Sequence, residues 1–77
     1  MEGQFSRDQF GRHFVMGWSQ RHCFTVLTKD ETCGRGEYAE ELDILAGTVG
    51  EAKKIARVIL DADYEPGLRI SRVLVNW

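Results

Sequence analysis

The stretch Thr48 to Asp63, TVGEAKKIARVILDAD, narrows the folds open to this chain more than any other. Ala52, Ile55, Ala56 and Ile59 fall at i, i+3, i+4 and i+7, which is one face of an α-helix. Val49, Leu60 and Ala62 widen that face, while Glu51, Lys53, Lys54, Arg57 and Asp61 take the opposite side. Thr48 and Glu51 have the S/T-x-x-E spacing of a capping box. In that motif the threonine hydroxyl accepts the Glu51 N–H and the glutamate reaches back to the Thr48 N–H. An apolar stripe of this kind has to be buried against another element. A chain of 77 residues has room for one core only, because at this size roughly 60–65% of the unfolded surface is buried.

The partners for the helix are strands. His22 to Lys29, HCFTVLTK, is rich in β-branched and aromatic residues. Lys29 to Gly36 is polar, contains Gly34 and Gly36, and reads as a hairpin loop. Glu37 to Ala46 has helix-forming Glu and Leu, yet Tyr38, Leu42, Ile44 and Ala46 alternate with Glu41, Asp43 and Leu45, the period of a strand. Pro66-Gly67 marks a type II turn, and Leu68 to Trp77 is the last strand. Its alternation breaks in the middle, which calls for a bulge at Ser71-Arg72 or for cover on both faces. With a right-handed crossover, the last strand lies beside the first strand of the hairpin, giving the sheet order 2-1-3 counted from His22.

The N-terminal segment is ambiguous. Ser6 and Gln9 are spaced as a capping box for a helix carrying Phe10, Phe14 and Trp18, but Gly11 and Gly17 disfavour it. A strand over His13 to Trp18, with Phe14, Met16 and Trp18 on one face, is the preferred alternative. The expected fold is α+β: a small antiparallel sheet with one helix packed on one face, in the order β-β-α-β, with an extra N-terminal strand or helix. The whole chain, 1–77, reads as one domain, with 1–12 a flexible or loosely packed arm and 13–77 the folded core.

Charge is distributed unevenly along this frame. Net charge is −2, but residues 30–51 hold seven acidic residues against Arg35 alone. Residues 1–29 hold four basic and two acidic residues, and residues 52–77 five basic and three acidic. The central acidic segment therefore lies between mildly basic flanks.

Chemistry-bearing motifs are sparse. His13, His22, Cys23 and Cys33 show neither C-x-x-C nor H-x-x-x-H spacing. His22 and Cys23 are adjacent on a strand and point to opposite faces. No cofactor motif is present, and nothing near Glu40, Glu41 and Asp43 suggests the burial that a catalytic carboxyl needs. The expectation is a protein without metal, cofactor or enzymatic activity. Two cysteines fall short of a disulfide framework, and MEGQFSRDQFGR lacks the apolar centre of a signal peptide. No apolar run approaches roughly 18 residues. The expected setting is reducing and cytoplasmic, with no membrane contact.

Two binding surfaces compete. The first is an acidic hairpin ledge of Asp30, Glu31, Glu37, Tyr38, Glu40, Glu41 and Asp43, suited to a basic protein such as one that handles nucleic acid. The bland alternative is a charged strand that resists aggregation. The second is a nucleic-acid contact through Lys53, Lys54, Arg57, Arg69 and Arg72, with Phe14, Trp18 and Phe24 as a stacking platform. The acidic segment weighs against it by repelling phosphate. Self-association through the edge strand ending at Trp77 is a further expectation.

Thr48, Glu51, Ala52, Ala56 and the run Tyr64-Glu65-Pro66-Gly67-Leu68-Arg69-Ile70 carry one resemblance. Glu37 to Trp77 resembles small bacteriophage-encoded accessory proteins, among them anti-CRISPR inhibitors, in which one helix packs on a short antiparallel sheet. The resemblance implies a small, cytoplasmic, non-enzymatic protein that acts by binding a host protein. It carries over no site residues.

Overall fold

The helical stripe finds its partner as its spacing requires. The computed structural model describes residues 4–30, 36–63 and 67–77, with the backbone alone at 36–39 and 63. Strands β1 (Phe5–Arg7), β2 (His13–Val15), β3 (His22–Asp30) and β4 (Gly36–Ala46) precede helix α1 (Val49–Asp63), and β5 (Leu68–Val75) follows it. One sheet holds all five strands in the order β1-β2-β4-β3-β5. Ala52, Ile55, Ala56, Ile59 and Leu60 of α1 are buried against Val15, Phe24, Val26, Leu42, Ile44 and Ala46 of the sheet. Each large aliphatic side chain so buried contributes ~2 kcal/mol. Val49 and Ala62, expected to widen the stripe, are exposed.

The class is α+β, and β4, β3 and β5 are neighbours in the expected order. The sheet is mixed, however, and not antiparallel. β2 runs parallel to β4, with His13 opposite Ile44, while every other pairing is antiparallel. The cause is topological. β2 and β3 follow each other in sequence but leave a slot one strand wide between them. β4 fills it, and by running antiparallel to β3 it must run parallel to β2.

The N-terminal arm is also part of the sheet. Phe5, Ser6 and Arg7 pair with Val15, Phe14 and His13. β2 is shorter than the expected strand to Trp18 and presents the other face. Val15 is fully buried, whereas Met16 is exposed and the chain turns at Gly17, whose φ is +90°.

The helix N-terminus differs from the expected box in one bond. Glu51 N–H donates to Thr48 Oγ1 at 3.1 Å, as expected, but the Glu51 carboxylate accepts from Gly47 N–H at 3.2 Å and not from Thr48. The approach is close. A Cβ on Gly47 would lie 2.8 Å from the Ser19 Cβ. Gly47 therefore joins β4 to α1 where the β2–β3 connection crosses it.

Two irregularities set the faces of the sheet. Along β5, Leu27 faces Arg72 but Thr28 faces Ile70, so Ser71 is extra and forms the expected bulge. The bulge puts Leu68, Ile70 and Val73 together against the core. Along β4, Leu27 faces Glu41 while Lys29 faces Glu37, so β4 spends extra residues that alternation in the sequence does not reveal. Thr28, fully buried, stitches this bulge. Its Oγ1 accepts the Glu40 N–H at 2.9 Å and donates to the Glu40 carbonyl at 3.1 Å. The Lys29–Gly36 loop and the Tyr64–Pro66 turn lie largely outside the described residues. Gly67 has the positive φ, +104°, that such a turn requires.

Four substitutions test this account by urea denaturation. Ile59→Ala should cost ~2–5 kcal/mol by opening a cavity under α1. Thr28→Val strands two part-buried backbone groups of Glu40 and should cost about 1–3 kcal/mol. Gly47→Ala should destabilise by about 1–3 kcal/mol through overpacking, and Ser19→Gly in the same chain should recover most of that loss. An unchanged midpoint in Ile59→Ala would show that the stripe does not bear on the core.

Candidate interaction face

α1 covers one face of the sheet. The opposite face is built from alternate residues of the three long strands. Across it, Glu41, Leu27 and Arg72 form one row, and Asp43, Thr25 and Leu74 the next. Directly opposed residues share a face, so Glu41, Asp43, Arg72 and Leu74 all project away from the helix. Glu41, Asp43 and Arg72 are exposed. Polar bonds hold the second row in place. Thr25 Oγ1 donates to the Asp43 carboxylate at 3.0 Å and accepts from Asn76 Nδ2 at 2.7 Å.

One end of this face is closed by the N-terminal hairpin and the chain end. Asp8 organises the hairpin turn: its Oδ1 accepts the N–H groups of Phe10 and Arg12, both at 2.9 Å. Its Oδ2 accepts from Arg12 Nε at 2.6 Å. Gly11, with φ +80°, completes the turn. Arg12 is thereby aimed at two rings, 5.0 Å from the Phe10 centroid and 5.7 Å from that of Trp77, a cation–π sandwich. The end of β5 is tied down by Cys23 N–H donating to the Trp77 carbonyl at 3.1 Å and Asn76 N–H donating to the Cys23 carbonyl at 2.8 Å. Cys23 is buried, while Leu74, Trp77 and Phe10 are 42%, 57% and 69% exposed, enough to offer apolar surface to a partner.

The acidic ledge is narrower than expected. Glu41 and Asp43 stand on the helix-free face, but Asp30 is 4% exposed and belongs to the interior. It alternates with Lys29 onto the side of Thr28 and Val26, opposite Leu68. Glu40 is half-buried, its backbone held by Thr28 in the bulge. Glu31 lies outside the described residues, and for Glu37 and Tyr38 only their places on β4 are described.

The basic positions also divide. Lys53, Lys54 and Arg57 are exposed on α1. Arg57 and Arg69 meet at a cleft of ≈ 390 Å³, which Lys29 and Asp61 also line. Arg72 is elsewhere, opposite Leu27. The stacking platform does not form. Phe24 is 2% exposed beneath α1, and Trp18 packs against the core. For Phe24 and Trp18, packing on the core outcompetes display on a surface.

The sequence signal for the Phe10–Arg12–Trp77 cluster was local. Asp8 and Gly11 sit at the first and last positions of a turn, where Asp and Gly are favoured. Nothing local pairs that turn with Trp77. Among the described residues, no three His, Cys, Asp or Glu side chains gather to hold a metal ion, and no helix is long and apolar enough to cross a membrane.

The Asp8 carboxyl reports on this arrangement. Partial desolvation raises its pKa, but hydrogen bonds from the Arg12 backbone and guanidinium and from the Phe10 backbone outweigh it, so the net shift is downward from the ordinary 3.8. A carboxyl depressed in the folded state stabilises it fully above the ordinary pKa, and the benefit fades as pH falls through the lowered value. In an NMR pH titration the Phe10 and Arg12 amide shifts should therefore move together, with a midpoint below 3.8. A midpoint at or above the ordinary value would show that the latch is not formed. Compared with protein-family models, with curated proteins and with solved structures, the chain matches none.

Proposed function

We propose that this chain is a small non-enzymatic protein-binding module that modulates a basic host protein, one that handles nucleic acid, through the helix-free face of its sheet. The observation that carries the reading is the placement of Glu41 and Asp43 on the same face as exposed Leu74, one register step apart. Interfaces combine an apolar, aromatic and Arg-containing centre with a charged rim. Leu74 with the Phe10–Arg12–Trp77 cluster supplies the former and the two carboxylates the latter. Thr25 holds Asp43 in one position, so little side-chain entropy is lost on docking. The resemblance of Glu37 to Trp77 to phage accessory proteins points to the same class, with action in the host cytoplasm.

Capture from host lysate tests this, using tagged wild type beside a Glu41→Lys, Asp43→Lys variant of unchanged melting temperature. The wild type should retain a basic partner, and the variant should lose it at least tenfold, with a wild-type on-rate that falls steeply with salt. Equal retention by both forms would remove the acidic residues from the mechanism. Trp77→Ala should raise the off-rate instead, since an aromatic anchor acts after encounter.

The convergence of Lys29, Arg57 and Arg69 on one cleft favours a second reading, binding of nucleic acid. Micromolar affinity for short oligonucleotides at ~100 mM salt, lost when Lys53, Lys54 and Arg57 are replaced, would promote it over the first.

A further inference from the structure

On the helix side of the sheet, a cleft of ≈ 520 Å³ opens between the β1–β2 hairpin and the C-terminal half of α1. Its lining is Phe5, Val58, Ile59 and Ala62 with Ser6, Arg7 and His13. The origin of the gap is legible. Ala62 lies at the edge of the apolar stripe, where a residue is expected to be covered, yet it is exposed, and the strands β1 and β2 across the cleft are three residues each. The volume lies in the range of roughly 300–1,000 Å³ typical of ligand sites.

A second, separate observation lies beside it. β1 is the last strand of the sheet at this side, and among the described residues it pairs with β2 alone. Its outer edge is available to another strand. Phe5 and Arg7 are two apart and share the face that borders the cleft, and Arg7 stands directly opposite His13. The edge and the cleft thus present, at one strand repeat, an apolar position followed by a basic one.

We infer that β1 and this cleft form a strand-addition site for an extended peptide segment bearing an apolar and an acidic residue two positions apart. The backbone of the segment adds to β1. The apolar side chain enters the cleft between Phe5 and Val58, and the carboxylate meets Arg7 and His13. Main-chain bonds supply the affinity and the alternate side chains the selectivity, as in other strand-addition modes. The site is on the sheet face opposite to Glu41 and Asp43 and does not depend on the function proposed for them.

The test is an NMR titration of the full-length ¹⁵N-labelled chain with synthetic eight-residue peptides. These carry Leu-x-Asp or Asp-x-Leu within a threonine background, beside controls with Lys in place of Asp. Shifts should concentrate at Phe5, Ser6, Arg7, Val58 and Ala62, and the Lys controls should bind at least tenfold more weakly. Val58→Trp, which fills the cleft, should abolish the shifts. Arg7→Glu, on an exposed side chain, should instead reverse the charge preference without removing binding. No shift with any peptide at about 1 mM would overturn the inference. So would shifts centred on Leu74 and Asp43, or binding indifferent both to peptide charge and to Arg7→Glu.

Discussion

The contact of Ala52, Ile55 and Ala56 with the middle of the sheet is the constraint on which the rest of the molecule depends. All three are fully buried, as are Val26 and Ile44 on the strands beneath. Two alanines one turn apart let the helix axis approach the sheet closely, and the larger isoleucine between them fills the space that remains. With α1 the one helix among the described residues, this contact decides which sheet face is covered by a helix. Along the regular stretches of β3, β4 and β5, the described side chains are assigned inward or outward by their parity relative to Val26 and Ile44.

Parity alone would place some side chains wrongly, and the two bulges repair it. Ser71 shifts β5 by one residue, so Leu68 and Ile70 join Val73 against the core although strict alternation would separate them. The β4 bulge opposite Thr28 keeps Leu42 and Ile44 inward while the strand beyond them changes register. A threonine suits that site because one hydroxyl both accepts and donates, pairing the Glu40 N–H and carbonyl that the ladder leaves over. Among the described residues no buried side-chain polar atom lacks a partner. At the β4 bulge the Glu40 backbone groups are thus paired through the Thr28 hydroxyl.

The same rules distribute charge. Glu41 and Asp43 are two apart on a strand and fall together on the face without a helix. Asp30, equally acidic in the sequence, falls on the other parity and is drawn inside. Among the described acidic residues of this block, the fold therefore separates an external pair, Glu41 and Asp43, from the internal carboxylate of Asp30. Arg72 stands on the same outer face as the acidic pair, across Leu27 from Glu41, so that face is of mixed sign with acid along β4. Any partner must match a pattern of charges at strand spacing and not a uniform field.

The sequence by itself determined the helix, its cap residue Thr48, the long strands on either side of it and a break in the alternation of β5, for which a bulge is one of two readings. Each is a local matter: a side-chain period, a hydroxyl three residues from an N–H, or a break in alternation. It also determined that Glu41 and Asp43 would share a face opposite to Leu42 and Ile44. The tertiary structure alone decided the remainder. β1 is too short for its periodicity to be read and pairs with β2, and β2, a strand already in the sequence reading, takes its place in the sheet by pairing with β4. The Glu51 carboxylate accepts from Gly47 N–H, beside which Ser19 of the β2–β3 connection lies. Phe10, Arg12 and Trp77 meet across the sheet, separated by nearly the whole chain. Such long-range juxtapositions carry no local signature, because the energy that selects them arises only after the core has formed.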